Sequence, residues 1–197
     1  VRRDRNHPAI VGWCPFNETW DHAGRQRDGS LQELTYEVTK AIDPTRPCLD
    51  VSGNFHAGKS DIYDVHCYDQ DPKSFAARYA TLPQSVDDTC GNHRQKYDGE
   101  RPFFVSEYGG IRWTNDESGW GYGDAPKTLA EYLERYCAMA EIMAANPRIC
   151  GVCYTQLYDV EQEQNGIYNY DRTPKFDEAA MDRMAEAMRA PAAIEKE

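Results

Sequence analysis

Gly12-Trp13-Cys14-Pro15-Phe16-Asn17-Glu18 and Phe103-Phe104-Val105-Ser106-Glu107-Tyr108-Gly109-Gly110 decide how this chain is read. Each is an apolar run that halts at a glutamate, and loop residues follow each glutamate. Carboxylates at the ends of two buried strands suggest paired acid and base chemistry. Their spacing suggests a barrel, because a (β/α)8 barrel of about 250 residues takes roughly 31 residues per unit. Glu18 and Glu107 stand 89 residues apart, close to three units. Both carboxylates would then lie at the C-terminal rim of one barrel, facing a common centre.

Working outward, strands are expected at 9–17, 47–53, 61–68, 102–108 and 150–158. Ser30-Leu31-Gln32-Glu33 has the form of a capping box. Leu31, Leu34 and Val38 follow at helical spacing, and Asp43-Pro44 ends that helix. A second helix has Asp124 as its cap and Pro126 near its first turn. Its apolar stripe is Leu129, Tyr132, Leu133, Tyr136, Ala140 and Met143, and Asn146-Pro147 ends it. A third runs from Asp177 to about Arg189. Strands alternating with helices imply an α/β fold with a parallel sheet. Val1 to Pro8 reads as the end of a helix with no starting cap, so the chain is expected to be a piece of a longer protein. Residues 1–190 are read as part of one catalytic domain and 191–197 as a frayed tail.

Composition narrows the classes. The 197 residues are 40% hydrophobic and 28% charged, as in ordinary globular chains. A net charge of −11 argues against nucleic acid as a partner, since phosphate binding needs a basic face. It gives no reason to expect a membrane surface, and no apolar run approaches the ~20 residues of a spanning helix. Seven cysteines without framework spacing argue against a disulfide scaffold. Mostly buried free thiols are expected instead, which leans towards a cytoplasmic location. Cys150 and Cys153 match C-x-x-C, but on a strand they point to opposite faces, so no shared metal is expected. Asp61, Asp64, Asp69 and Asp71 lack the Gly and Glu of a calcium loop and are read as solvated loop charge. No cofactor and no metal are implied.

Arg3 through Trp13 (RDRNHPAIVGW), leading into Asn17-Glu18, resembles the acid/base region of glycoside hydrolase family 2. That family includes β-galactosidases, β-glucuronidases and β-mannosidases. Ser106 through Gly110 resembles its nucleophile segment. Tyr154 through Gly166 (YTQLYDVEQEQNG) and Asn169 through Lys175 (NYDRTPK) resemble the end of the same catalytic domain. The likeness covers almost the whole chain. It implies the C-terminal portion of a (β/α)8 TIM barrel, about strands 4 to 8, with the first three strands and preceding β-sandwich domains absent.

Spacing leaves open which glutamate does what. The resemblance implies Glu18 as acid/base and Glu107 as nucleophile of a retaining exo-glycosidase. An acid protonated near neutral pH needs a raised pKa, which repulsion from ionised Glu107 would supply. By the same resemblance Asn17 binds the sugar 2-hydroxyl, Tyr68 holds the nucleophile, and Tyr154 replaces a tryptophan that stacks under the sugar. His66, two residues before Tyr68, shares its face; it either lines the sugar site or is a buried, hydrogen-bonded histidine. Trp113, Asn115, Trp120 and Tyr122 lie on a Gly-rich loop after Glu107. Trp113 and Trp120 either form subsites or pack under the loop. Asp159, Glu161 and Glu163 follow the last strand and are not read as catalytic. Trp13 is read as core.

No basic cluster suited to a uronic acid carboxylate appears, which favours a β-galactoside over a β-glucuronide or β-mannoside. The competing class is a non-catalytic carbohydrate-binding or structural piece. With strands missing, the isolated chain is expected to be weakly active or inactive, and to self-associate or contact the missing barrel half through exposed strand edges.

Overall fold

A computed structural model describes residues 1–19, 28–54, 56–82 and 97–196. Cys90 and Glu197 lie outside these. In chain order the elements are β1 (Phe16–Thr19), α1 (Ser30–Ile42), β2 (Val51–Asn54), β3 (Tyr63–Cys67), α2 (Pro72–Tyr79), β4 (Phe103–Gly109), α3 (Leu129–Ala144), β5 (Ile149–Thr155) and α4 (Glu178–Met188). A 3-10 turn at Ala193–Lys196 follows.

Among the described residues these five strands pair in parallel, in two sheets ordered β1-β2 and β3-β4-β5. Among the described residues no ladder joins β2 to β3; side chains close that seam. The Gly53 amide donates to Asp64 Oδ2 at 2.9 Å, and Ser52 Oγ lies 2.9 Å from His66 Nε2.

The larger sheet packs against α2, α3 and α4. Phe103, Val105 and Tyr108 of β4 face the helices and join Phe75, Tyr132, Tyr136, Met139 and Met184 in one core. Side chains of this size contribute roughly 1.5–3 kcal/mol each on burial. Three helix starts follow from side-chain caps: Asp71 accepts from the Lys73 and Ser74 amides, Thr128 from that of Glu131, and Asp177 from that of Ala180. Pro72 stands in the first turn of α2, where its missing N–H costs nothing.

Several expectations are corrected. Strand pairing starts at Phe16 rather than at 9; upstream only Trp13 bridges to Cys48. Residues 2–6 form turns, not a helix end. The capping box at Ser30 does not form, because Gly29 is the N-cap and Asp28 accepts from Ser30 instead. The stripe on α1 points outward: Leu31, Leu34 and Val38 are 60%, 61% and 49% exposed. α3 is capped by Thr128, four residues beyond Asp124. Three of the six described cysteines, Cys14, Cys150 and Cys153, are exposed. Asp64 is not solvated charge but fully buried, and Asp71 is a helix cap.

Candidate active site

Glu18 lies near the end of β1, and its φ of 47° is in the left-handed region. A non-glycine residue there costs of order 1–3 kcal/mol, a strain concentrated at functional sites. It breaks the strict alternation of the strand, so the aim of this carboxylate is set by the backbone. Glu107 lies on β4, where the β3–β4 register shifts between Val65 and His66. Val65 pairs with Val105 and His66 with Glu107, leaving Ser106 as the extra residue. A bulge of this kind re-aims side chains; here it sets His66 opposite Glu107.

The two glutamates meet at His66. Its Nδ1 lies 2.9 Å from Glu18 Oε1 and 3.3 Å from Glu107 Oε2. One carboxylate oxygen from each glutamate and a His66 ring nitrogen all lie within 4.8 Å of one another. The spacing is small enough for a cation, and it equally suits a hydrogen bond between Nδ1 and either carboxylate. The Tyr68 hydroxyl donates to Glu107 Oε2. Burial is the largest influence on Glu107 and pushes its pKa above the ordinary glutamate value; the Tyr68 hydrogen bond and His66 oppose it, while Glu18 adds to it. Burial and the neighbouring Glu107 push the Tyr68 phenol up, so it stays a donor.

Aromatic packing fixes Tyr68. Its ring stacks on Tyr122 with centroids 3.4 Å apart, and Trp120 meets Tyr122 edge-on at 5.8 Å. Gly110, at φ 61°, sits under this stack: a Cβ there would lie 2.4 Å from Tyr122 and 3.1 Å from Tyr68. Gly53 does the same for His66, since a Cβ would come within 2.5 Å of the imidazole, and its φ is 71°. Gly53→Ala is therefore expected to lower stability by roughly 1–3 kcal/mol and to displace His66. Denaturant unfolding checks the first effect; an unchanged midpoint would contradict it.

A second charged group lies beneath. His56 is fully buried, with Nδ1 at 2.8 Å from Asp50 and Nε2 at 3.0 Å from Asp64. Burial alone would lower its pKa, but the hydrogen bonds to Asp50 and Asp64 outweigh it and push it up to about 10.

Of the residues singled out from sequence, the structure brings Glu18, Glu107, His66 and Tyr68 together. Asn17 is exposed on β1 beside them. Tyr154 is placed elsewhere. It pairs in register with Tyr108, on the helix side of the sheet, and its hydroxyl meets that of Tyr132 at 3.1 Å. Trp113 pins the loop to the core, stacking on Phe176 at 5.9 Å and meeting Tyr132 edge-on. Asn115 is exposed and lines a groove of about 400 Å³ with Trp113, Lys127 and Asn169. Trp13 is half-buried and donates to Asp43 at 2.9 Å. Asp159 is buried and accepts from Lys175 at 2.7 Å and from the Gly166 amide. Sequence reasoning missed Ser52, Gly53, His56 and Ser106 as neighbours of the pair, and left Tyr122 without a role. Only the position of Ser106 next to Glu107 could have signalled one of them.

Comparison with known proteins bears on the fold and the family. The family model "Glycosyl hydrolases family 2, TIM barrel domain" matches residues 1–189. The beta-glucuronidase of Pongo abelii is 34% identical over 117 residues, which is 55% of this chain and 17% of that protein. The chain thus matches about a sixth of that relative's length. The solved beta-glucuronidase of Faecalibacterium prausnitzii superposes with a TM-score of 0.65 at 20% identity, over 96% of this chain and 33% of that one. A beta-galacturonidase of Eisenbergiella tayi, bound to galacturonate, gives 0.64 at 18% identity, over 92% and 34%. This chain belongs to glycosyl hydrolase family 2, within its TIM barrel domain.

Proposed function

We propose that the protein carrying this chain is a retaining β-glycosidase, with Glu107 as nucleophile and Glu18 as acid/base. One observation carries the reading: the two glutamates present oxygens within 4.8 Å of each other, across a shared histidine. Retaining enzymes hold their carboxyl groups about 5–5.5 Å apart, and inverting enzymes about 6.5–9.5 Å, to leave room for water. Glu107 attacks the anomeric carbon while Glu18 protonates the leaving oxygen. Glu18 then takes a proton from water, whose oxygen displaces Glu107. Tyr68 holds the attacking carboxylate in place through its hydrogen bond. On this reading the five strands are the fourth to eighth of the barrel.

The name of the curated relative favours a β-glucuronide as substrate, above the β-galactoside expected from sequence. The galactoside is kept as a second reading by one observation: the charge of Lys175, a cation among the rim loops, is taken up by Asp159 at 2.7 Å. Incubating the full-length protein with 2-deoxy-2-fluoro glycosides of glucuronic acid, galactose and mannose tests both. We expect the glucuronyl adduct, found by mass spectrometry on the peptide containing Glu107. An adduct on another peptide, or none from the panel, would overturn the assignment.

A further inference from the structure

Behind the glutamate pair runs a chain of hydroxyls whose hydrogen-bond directions are fixed by counting protons. Asp64 Oδ2 accepts from the Gly53 amide at 2.9 Å and from the Ser106 hydroxyl, while Oδ1 faces His56 Nε2 at 3.0 Å. A serine hydroxyl has one proton to donate. The Ser106 proton is committed to Asp64, so Ser106 accepts from Ser52, 3.0 Å away. The Ser52 proton is then committed too, and towards His66 Nε2, at 2.9 Å, its oxygen accepts. Nε2 therefore carries a hydrogen. The nitrogen left to gain or lose a proton is Nδ1, the one beside Glu18 and Glu107.

We propose that Glu18 and His66 hold the acid proton jointly, and that Ser52, Ser106 and Asp64 are positioning residues that keep Nε2 protonated so that exchange takes place at Nδ1. This rests on the reading of Glu18 as the acid/base. In the first step the bond from Glu107 to the anomeric carbon forms and the bond to the leaving oxygen breaks. The shared proton moves to that oxygen, leaving Glu18 ionised and His66 neutral with its hydrogen on Nε2. In the second step water bonds to the anomeric carbon, the bond to Glu107 breaks, and the water proton returns to the Glu18–His66 pair. Were Ser52 to donate to Nε2 instead, the ring hydrogen would stay on Nδ1 and the pair would store one proton fewer.

Among the described residues, the groups facing His66 include Glu18 from β1, Ser52 and Gly53 from β2, Glu107 from β4, and the Tyr68 ring edge at 6.4 Å, with Ser106 one bond further on through Ser52. Asp64, His56 and Asp50 stand behind the chain.

Ser106→Ala in the full-length protein releases Ser52 to donate to Nε2. On aryl glycosides with a poor leaving group, kcat/KM is expected to fall about tenfold or more. The loss on dinitrophenyl glycosides should be several times smaller, and the basic limb of the pH profile should move to lower pH. Ser106→Thr, which keeps the hydroxyl, should restore both. Ser52→Ala breaks the chain from the neighbouring strand and should give the same signature, which covers the case that Ser106→Ala does not fold. Equal losses on both leaving groups with an unmoved limb would sink the inference, as would failure of threonine to restore. Trapping separates the two readings. A wild type that is not trapped on Glu107 overturns the retaining mechanism and this inference with it. A trapped wild type whose serine variants lack the signature overturns this inference alone.

Discussion

Glu107→Gln in the full-length protein is expected to lower kcat by on the order of 10⁴-fold or more, with little change in thermal stability. Glutamine has the same size and keeps a carbonyl oxygen for the Tyr68 hydroxyl, so the contact that orients this side chain survives. What it lacks is the nucleophilic carboxylate. The expected loss corresponds to about 5.4 kcal/mol at the transition state. Activity within tenfold of the wild type would remove Glu107 from the nucleophile role. The wild type should also show where Glu107 titrates. Burial raises its pKa, with Tyr68 and His66 opposing, and the reaction needs it ionised. Activity should therefore fall, as pH is lowered, through a value above that of an ordinary glutamate.

Glu18→Gln should separate substrates by their leaving groups. A general acid contributes about 10²–10⁴-fold where the departing oxygen needs its proton. Poor leaving groups should lose that much, while a dinitrophenolate, which departs unprotonated, should lose far less in the glycosylation step. Azide needs no base to attack the glycosyl-enzyme, so it should speed turnover of the dinitrophenyl substrate and give a β-glycosyl azide. An equal loss on all leaving groups, with no azide product, would mean that Glu18 does not act as the acid.

The parallel α/β order was legible because strands buried by helices are long apolar runs, and β4 and β5 are of that kind. α3 was legible from a stripe that continues over four turns. α2 was not, since Phe75 and Tyr79 are its only large apolar anchors, although Asp71-Pro72 is a start signal in plain view. The stripe on α1 was real, but periodicity says that a helix has two faces and not which is covered. Tyr154 was misplaced because its face depends on register, and the extra residue in β4 cannot be seen in one strand alone. The glutamates, His66 and Tyr68 could be found by position. The polar chain behind them could not, because Asp50, Ser52, His56, Asp64 and Ser106 come together only when three strands are laid side by side.

The break between β2 and β3 leaves Glu18 on one sheet and Glu107 on the other. No backbone ladder across that break fixes how far apart they stand; an imidazole and a few hydroxyls act as the calliper. On the proposed mechanism that distance chooses the anomeric configuration of the product, and the two regimes differ by only about 1 Å. On that mechanism the anomeric configuration of the released sugar depends on the side chains that bridge the seam as well as on the scaffold, and substitutions along the seam are where retention would begin to give way to inversion.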